Sequence, residues 1–247
     1  MDILDVQPII NEPAIYIKET KILVVADLHI GIESELIEKG INAESQTNKM
    51  IKHIERLCKK YHPEKIVLLG DIKHNIPTST IWERKYVKNF LEIVEGYGTV
   101  HIFPGNHDGN IQKLVSEKIK THPSDGDIIE GIGFTHGHRW PNEKTMLCDT
   151  IITAHTHPTI MFTDRRGYKI YEPCWAKTTF LKNNLKERYP DSNNPKCYVM
   201  PAFNPLCGGI AVNQEGIIGP LGKIVDIDNS EIYLLDGSFL GKSKDIC

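Results

Sequence analysis

Five short polar clusters punctuate the first two thirds of this 247-residue chain: Asp27-Leu28-His29, Gly70-Asp71, Gly105-Asn106-His107-Asp108, Thr135-His136-Gly137-His138 and Ala154-His155-Thr156-His157. Taken singly they are weak signals, because an Asp after an apolar run more often caps a turn and a lone His more often serves as a structural hydrogen-bonding group. Together they place six of the eleven histidines in chemistry-bearing positions. Carboxylate, imidazole and amide donors in one set suit borderline divalent ions such as Mn²⁺, Fe²⁺ or Zn²⁺, whereas Mg²⁺ and Ca²⁺ favour oxygen donors. Asp27, His29, Asp71, Asn106, His136, His155 and His157 are more ligands than one tetrahedral ion needs. Two ions sharing a carboxylate would use them all. Ions roughly 3.5–4 Å apart can clamp the attacking and leaving oxygens of a phosphoryl group, so in-line phosphoester hydrolysis is the chemistry to expect.

The elements that must position these residues can be read from the runs preceding them. Residues 22–26, 66–69 and 100–103 are apolar and of strand length, and each ends at one of the first three clusters. Runs of this kind suit strands buried on both faces. Between them, residues 44–61 carry Met50, Ile51, Ile54, Leu57 and Cys58 at helical spacing, and residues 79–96 carry Trp82, Tyr86, Phe90, Leu91 and Val94. Alternating strand and helix predicts a parallel sheet, whose carboxyl-end crevice would gather residues distant in sequence. The second half differs. Short apolar runs at 128–135, 151–154, 159–163, 169–173, 197–202 and 231–235, separated by Gly, Asn, Asp and Pro, predict a second sheet with few helices. Residues 183–196, rich in Asn and Pro, read as a long loop, either a lid or a surface excursion.

Length and composition (40% apolar, 25% charged) favour one α/β domain spanning residues 1–247. No 18-residue apolar run and no secretory leader pattern is present, and the six cysteines form no C-x-x-C pair. These features predict a reduced, cytoplasmic protein without membrane association, its cysteines acting mainly as small buried hydrophobes. The formal net charge of −3 supplies no global basic footprint for nucleic acid, although a local groove remains open to the 29 Lys and Arg.

The five clusters, over roughly residues 20–160, resemble the D-x-H, G-D, G-N-H-D, H and G-H-x-H signature of the calcineurin-like metallophosphoesterase superfamily. That resemblance implies a four-layer α-β-β-α sandwich with two mixed central sheets and a metal site at the strand ends. It implies that Asp27, His29 and His157 hold one ion, that Asn106, His136 and His155 hold another, and that Asp71 bridges them. A metal-bound hydroxide would attack the phosphorus. His107 would face the substrate and protonate the leaving oxygen, with Asp108 holding its ring in the useful tautomer. Mn²⁺ is the first expectation, with Fe²⁺, Zn²⁺ and Ni²⁺ also suited. Two positions depart from the pattern: Ala154 stands where Gly is usual, and Asp71 and Asn106-His107-Asp108 lack the continuations of serine/threonine protein phosphatases. Protein phosphatase activity is thereby disfavoured.

Downstream, Tyr198-Val199-Met200-Pro201-Ala202-Phe203-Asn204-Pro205-Leu206 and Cys207-Gly208-Gly209, with the opening Asp27 to Glu33, resemble the prokaryotic ICC-like branch, which is similar to SbcD-type repair nucleases. The resemblance implies a phosphodiesterase acting on DNA or RNA and, by analogy, a helicase or ATPase partner. A phosphomonoesterase or small-nucleotide phosphodiesterase is the enzymatic alternative, and a non-catalytic scaffold on the same fold the alternative from another class. His74, His138 and Arg139 could serve a ligand, the phosphate, or nothing beyond a solvated loop end. Asn204 could border the site or merely close a sheet. Trp175 and Lys177 with Arg165 and Arg166 could follow a nucleic-acid strand or be plain hairpin surface.

Overall fold

In a computed structural model, which describes residues 6–38, 40, 45–76 and 80–246, two sheets pack face to face. In chain order the first half comprises β1 (Ala14–Ile17), β2 (Ile22–Ala26), α1 (Ile32–Glu38), α2 (Thr47–Tyr61), β3 (Lys65–Leu69), α3 (Ile81–Glu95), β4 (Thr99–Phe103) and β5 (Lys120–Thr121). The first sheet has the order β1-β2-β3-β4-β5, parallel from β2 onward, with β1 antiparallel on the edge. β2 is buried along its whole length, and β3 and β4 are buried in all but their first residues, as strands covered on both faces must be. The predicted helix starts at Glu44 and Ser79, like Cys247, lie outside the described residues.

α2 buries Met50, Ile51, Ile54, Leu57 and Cys58 and ends where His62 turns left-handed (φ 48°) ahead of Pro63. Thr80 caps α3 by accepting the Glu83 N–H. Both helices cover the outer face of the first sheet with a core that includes Leu23, Val25, Ile66, Leu68, Val87 and Phe90. The inner face, including Val24, Val67, Leu69 and Phe103, meets Phe134, Ile152, Trp175 and Met200 of the second sheet.

The second half comprises β6 (Asp127–Ile129), β7 (Ile132–Phe134), β8 (Thr150–Thr153), β9 (Pro158–Thr163), β10 (Lys169–Thr178), α4 (Lys182–Arg188), β11 (Lys196–Val199), β12 (Ile210–Ala211), β13 (Glu231–Leu234) and β14 (Phe239–Lys242). Its sheet runs β12-β9-β10-β11-β8-β7-β6, with β13 and β14 added beside β10. Two expectations are corrected. The run 128–135 is a hairpin, because Glu130 and Gly131 adopt φ of 51° and 80° and reverse the chain in two residues. The segment 183–196 is not a free loop. It starts in α4, and the Tyr189 hydroxyl and Ser192 hydroxyl donate to the Pro141 and Met146 carbonyls, so it is docked onto the outer core of the second sheet.

Candidate metal centre

The first ligand pair follows from how the strands end. β2, β3, β4, β7 and β8 all terminate on the same side, and the chain turns sharply there. Asp27, His29, Asp71, His155 and His157 all adopt positive φ (54°, 41°, 48°, 69° and 46°). Each such non-glycine conformation costs on the order of 1–3 kcal/mol and persists only where the surroundings enforce it. Here the enforcement is visible. The Asp27 and His29 N–H groups donate to the Gly70 and Asp71 carbonyls, and Asn204 Nδ2 donates to the Leu28 carbonyl at 2.8 Å while the Phe203 N–H donates to Ala26. Asn204 is 1% exposed, so the Phe203-Asn204 turn clamps the Asp27 loop rather than merely closing a sheet.

The donor atoms converge. Asp27, His29 and Asp71 present ligand atoms within 4.8 Å of one another, and so do Asp71, His136 and His155, so Asp71 belongs to both groups. His29 Nε2 and His136 Nε2 lie 3.6 and 3.7 Å from Asp71 Oδ2, and His157 Nε2 lies 3.3 Å from Asp27 Oδ1. Asn106 stands exposed between Gly105 and His107 and forms no hydrogen bond among the described residues. Glycine is required twice for this closeness. A Cβ on Gly105 would lie 2.1 Å from Asp71 Oδ1, and one on Gly70 would lie 2.2 Å from the His136 ring.

A second set of residues fixes the rings from behind. His74 Nδ1 lies 3.2 Å from His29 Nδ1, and His74 Nε2 is 2.6 Å from Glu35 Oε2. His138 Nδ1 lies 3.1 Å from His136 Nδ1, so His138 backs a candidate ligand. The Gly208 carbonyl meets His157 Nδ1 at 2.9 Å. Each contact leaves the opposite nitrogen, Nε2, directed at the carboxylates.

The residues suit a divalent metal centre. His29 is 5% exposed and its Nε2 has no hydrogen-bond partner among the described residues, while two carboxylates, Asp27 and Asp71, are nearly dry beside it. Burial opposes charge on Asp27, but His157 and His136 overcome it and hold its carboxyl below the ordinary range. Burial, followed by the nearby Asp27, pushes the Asp71 carboxyl up. A buried orphan nitrogen and crowded carboxylates are both relieved by a cation.

A family model for the calcineurin-like phosphoesterases matches residues 20–187. The chain belongs to that family. The fold of this calcineurin-like phosphoesterase is shared with the Pseudomonas putida nuclease MPE, at 21% identity, TM-score 0.59, and coverage of 94% of this chain and 98% of that one. The E. coli phosphoesterase YfcE aligns over 90% of this chain and 97% of its own at 15% identity, with a TM-score of 0.38.

Within the phosphoesterase site, the role expected of Asp108 is corrected. Its Oδ1 accepts the Ile72 and Lys73 N–H groups at 2.9 and 3.2 Å, and its Oδ2 accepts the Gly105 N–H at 2.9 Å. That carboxylate therefore ties the Asp71 loop to the Asn106-His107 loop. The His107 ring is held instead by the His74 carbonyl, which accepts from Nδ1, while the His107 N–H donates to Asp71 Oδ1 at 2.9 Å. His107 Nε2 lies 4.0 Å from Asp71 Oδ2, on a side chain that retains 20% exposure and so faces the opening.

Burial, with the neighbouring imidazoles, draws His29 down to about 3 and His155 to about 4, leaving both neutral as metal ligands must be. His157 moves the other way, to about 9, because Asp27 outweighs its burial. Cys207 is the neighbour that sequence reasoning missed. Its thiol lies within 4.8 Å of the ligand nitrogens of His29 and His157, so it borders the centre, and burial with the charges of Asp27 and Asp71 pushes it well above the usual range. Its one signal in the sequence is its place in the 198–209 segment, three residues after Asn204. Trp175 is buried, which removes it from any solvent-facing strand path. No described helix is long and apolar enough to cross a membrane.

Proposed function

We propose that this chain is a two-metal phosphodiesterase acting on nucleic acid. The observation that carries the reading is the sharing of Asp71 between two groups of ligand atoms, with His107 beside it on the open side. Asp27, His29 and His157 would hold one ion, Asn106, His136 and His155 the other, and Asp71 would serve both. Mn²⁺ matches the mixture of nitrogen and oxygen donors. Bound there, two divalent ions supply the charge neutralisation and activated water that phosphoester hydrolysis requires.

The chain's own groups do the rest. Asp108, by pinning the backbone of Ile72, Lys73 and Gly105, keeps Asp71 and His107 in fixed register. The His74 carbonyl keeps the Nδ1 proton on His107, so Nε2 is the atom that delivers a proton to the leaving oxygen. His74 and His138 keep His29 and His136 turned toward the carboxylates.

The test is to supply the purified chain with Mn²⁺ and compare bis(p-nitrophenyl) phosphate, p-nitrophenyl phosphate, single-stranded DNA and duplex DNA. The expected order places diesters well above the monoester, with cleavage of DNA. A preference for p-nitrophenyl phosphate would overturn the diesterase reading in favour of a monoesterase. Metal analysis of Asp71→Ala should show both ions weakened together.

A further inference from the structure

Beyond the metal centre, the hairpin of β9 and β10 is built unlike the rest of the second sheet. β8 is parallel to β11, β11 is antiparallel to β10, and β10 is antiparallel to β9, so β9 continues in the direction in which β8 delivers His155 and His157. It begins at Pro158, directly after His157. Thr153, at the end of β8, is level with Val199 and hence with Ala176 of β10, whereas Lys169 stands seven residues further along that strand. At about 3.3 Å per residue, the hairpin rises about 23 Å past the end of β8.

Everything from residue 163 to 173 is exposed. Tyr168 is 69% exposed, Tyr171 51% and Ile170 46%, three large apolar side chains on one short hairpin. Arg165, Arg166 and Lys169 form no ion pair among the described residues. Of the two acids nearby, Asp164 is committed to the turn, where its Oδ1 accepts the Arg166 and Tyr168 N–H groups at 2.8 and 2.9 Å, and Glu172 alternates onto the face opposite Lys169 and Tyr171. Those bonds, with Gly167 at φ 81°, stiffen the tip. Side chains alternate along a strand, so Lys169 and Tyr171 share the face of Trp175, which turns toward the first sheet and the cleft between the sheets.

We propose that this arm is a wall of the substrate channel that holds single-stranded nucleic acid, with Tyr171 stacking on a base and Lys169 meeting a phosphate along its cleft face, and with Tyr168, Arg165 and Arg166 meeting the strand at the turn. The inference rests on the nucleic-acid reading above and names the form of the substrate. Unpaired cations match a polyanion, and exposed rings match unstacked bases, which a duplex does not offer. The arm's height would engage nucleotides several positions from the scissile phosphate.

The experiment compares the full chain with two paired variants, Tyr168→Ala with Tyr171→Ala, and Arg165→Ala with Arg166→Ala, each loaded with Mn²⁺. Bis(p-nitrophenyl) phosphate is too small to reach the arm, and its kcat/KM should stay unchanged. On a 30-nucleotide single strand, kcat/KM should fall at least tenfold, mostly through KM, and anisotropy of a labelled oligothymidylate should show the same loss of affinity. Tyr168→Phe with Tyr171→Phe should restore both, since stacking needs the ring alone. Equal losses on both substrates, or none on the oligonucleotide, would overturn the arm and leave the diesterase reading intact. A wild-type dimer that the tyrosine pair dissociates would assign the arm to self-association and overturn the proposal. Wild-type turnover of the small diester, without binding or cutting of any oligonucleotide, would overturn the nucleic-acid reading and the arm together.

Discussion

Adding one methyl group at Gly70 should disable the centre without removing any chemical group from it. The Cβ of Gly70→Ala would lie 2.2 Å from His136 Cδ2 and 2.3 Å from Cγ, whereas ordinary contact begins near 3.4 Å, so the ring must retreat by about 1.2 Å. It has no room to do so: His136 is 1% exposed, its Nε2 lies 2.9 Å from Asp27 Oδ1, and its Nδ1 is held by His138. A misplacement of about 1 Å in catalytic geometry costs about 10²-fold in rate. Gly70 also has φ 81°, where a side chain adds about 1–2 kcal/mol of strain. Expected, therefore, is a fall of about 100-fold in kcat/KM for bis(p-nitrophenyl) phosphate, with reduced Mn²⁺ content and a Tm lower by a few degrees. Gly167→Ala separates the two effects, because Gly167 has the same φ of 81° but nothing within 4 Å of the added Cβ. It should lose comparable stability and keep turnover of the small diester. Normal turnover and full metal content in Gly70→Ala would refute the claim that His136 is held against this backbone as part of the centre.

Three further outcomes follow from particular contacts. His107→Ala should lower kcat about 10²–10⁴-fold while metal content by mass spectrometry stays at the wild-type value; loss of metal would make His107 a ligand instead. Asp108→Asn puts an amide N–H against a backbone N–H that the carboxylate now accepts, and should cost about 1–3 kcal/mol in urea unfolding. If Asp108 acted on the His107 ring, the same change would shift the pH–rate profile and leave stability alone. His101, 4% exposed, is lowered from 6.5 to about 4, first by burial and then by His122, whose Nε2 lies 2.9 Å from His101 Nδ1. The unfolded chain then binds more protons than the folded one, so this contribution is intact above pH 6.5 and is lost as pH falls toward 4. At about 1.4 kcal/mol per pH unit its ceiling is about 3 kcal/mol. His101→Asn should flatten the stability profile in that window relative to wild type, and an unchanged slope would exclude His101 as its source.

Much of the site was legible because metal chemistry restricts residue types. The apolar runs ending at Asp27, Asp71 and Asn106 specified parallel strands, and strands in a parallel sheet must deliver their carboxyl ends to one side. The same logic fails for edge and short elements. Among the described strands β1 pairs with β2 alone and reads as an ordinary apolar stretch, and β5 and β12 have two residues each, too few for any periodicity. The run 128–135 looked continuous because the two residues that fold it into a hairpin include Glu130, an unusual occupant of a left-handed position. Residues 183–196 looked like a loop by composition, and only the bonds from Tyr189 and Ser192 to distant carbonyls dock it.

By itself, then, the sequence determined the family, the parallel half of the fold and the set of carboxylates and imidazoles, because those depend on residue type and order along the chain. Only the tertiary structure decided which atom of the His29 and His157 rings faces the centre, because that is set by His74 and the Gly208 carbonyl, 45 and 51 residues away. It moved Asp108 from the proton-transfer machinery to the framework, drew Cys207 to the rim, and raised Tyr168 and Tyr171 above the cleft on strands whose direction is fixed by pairing rather than by local sequence. Local sequence encodes which groups are present; their distances are set by long-range packing and register.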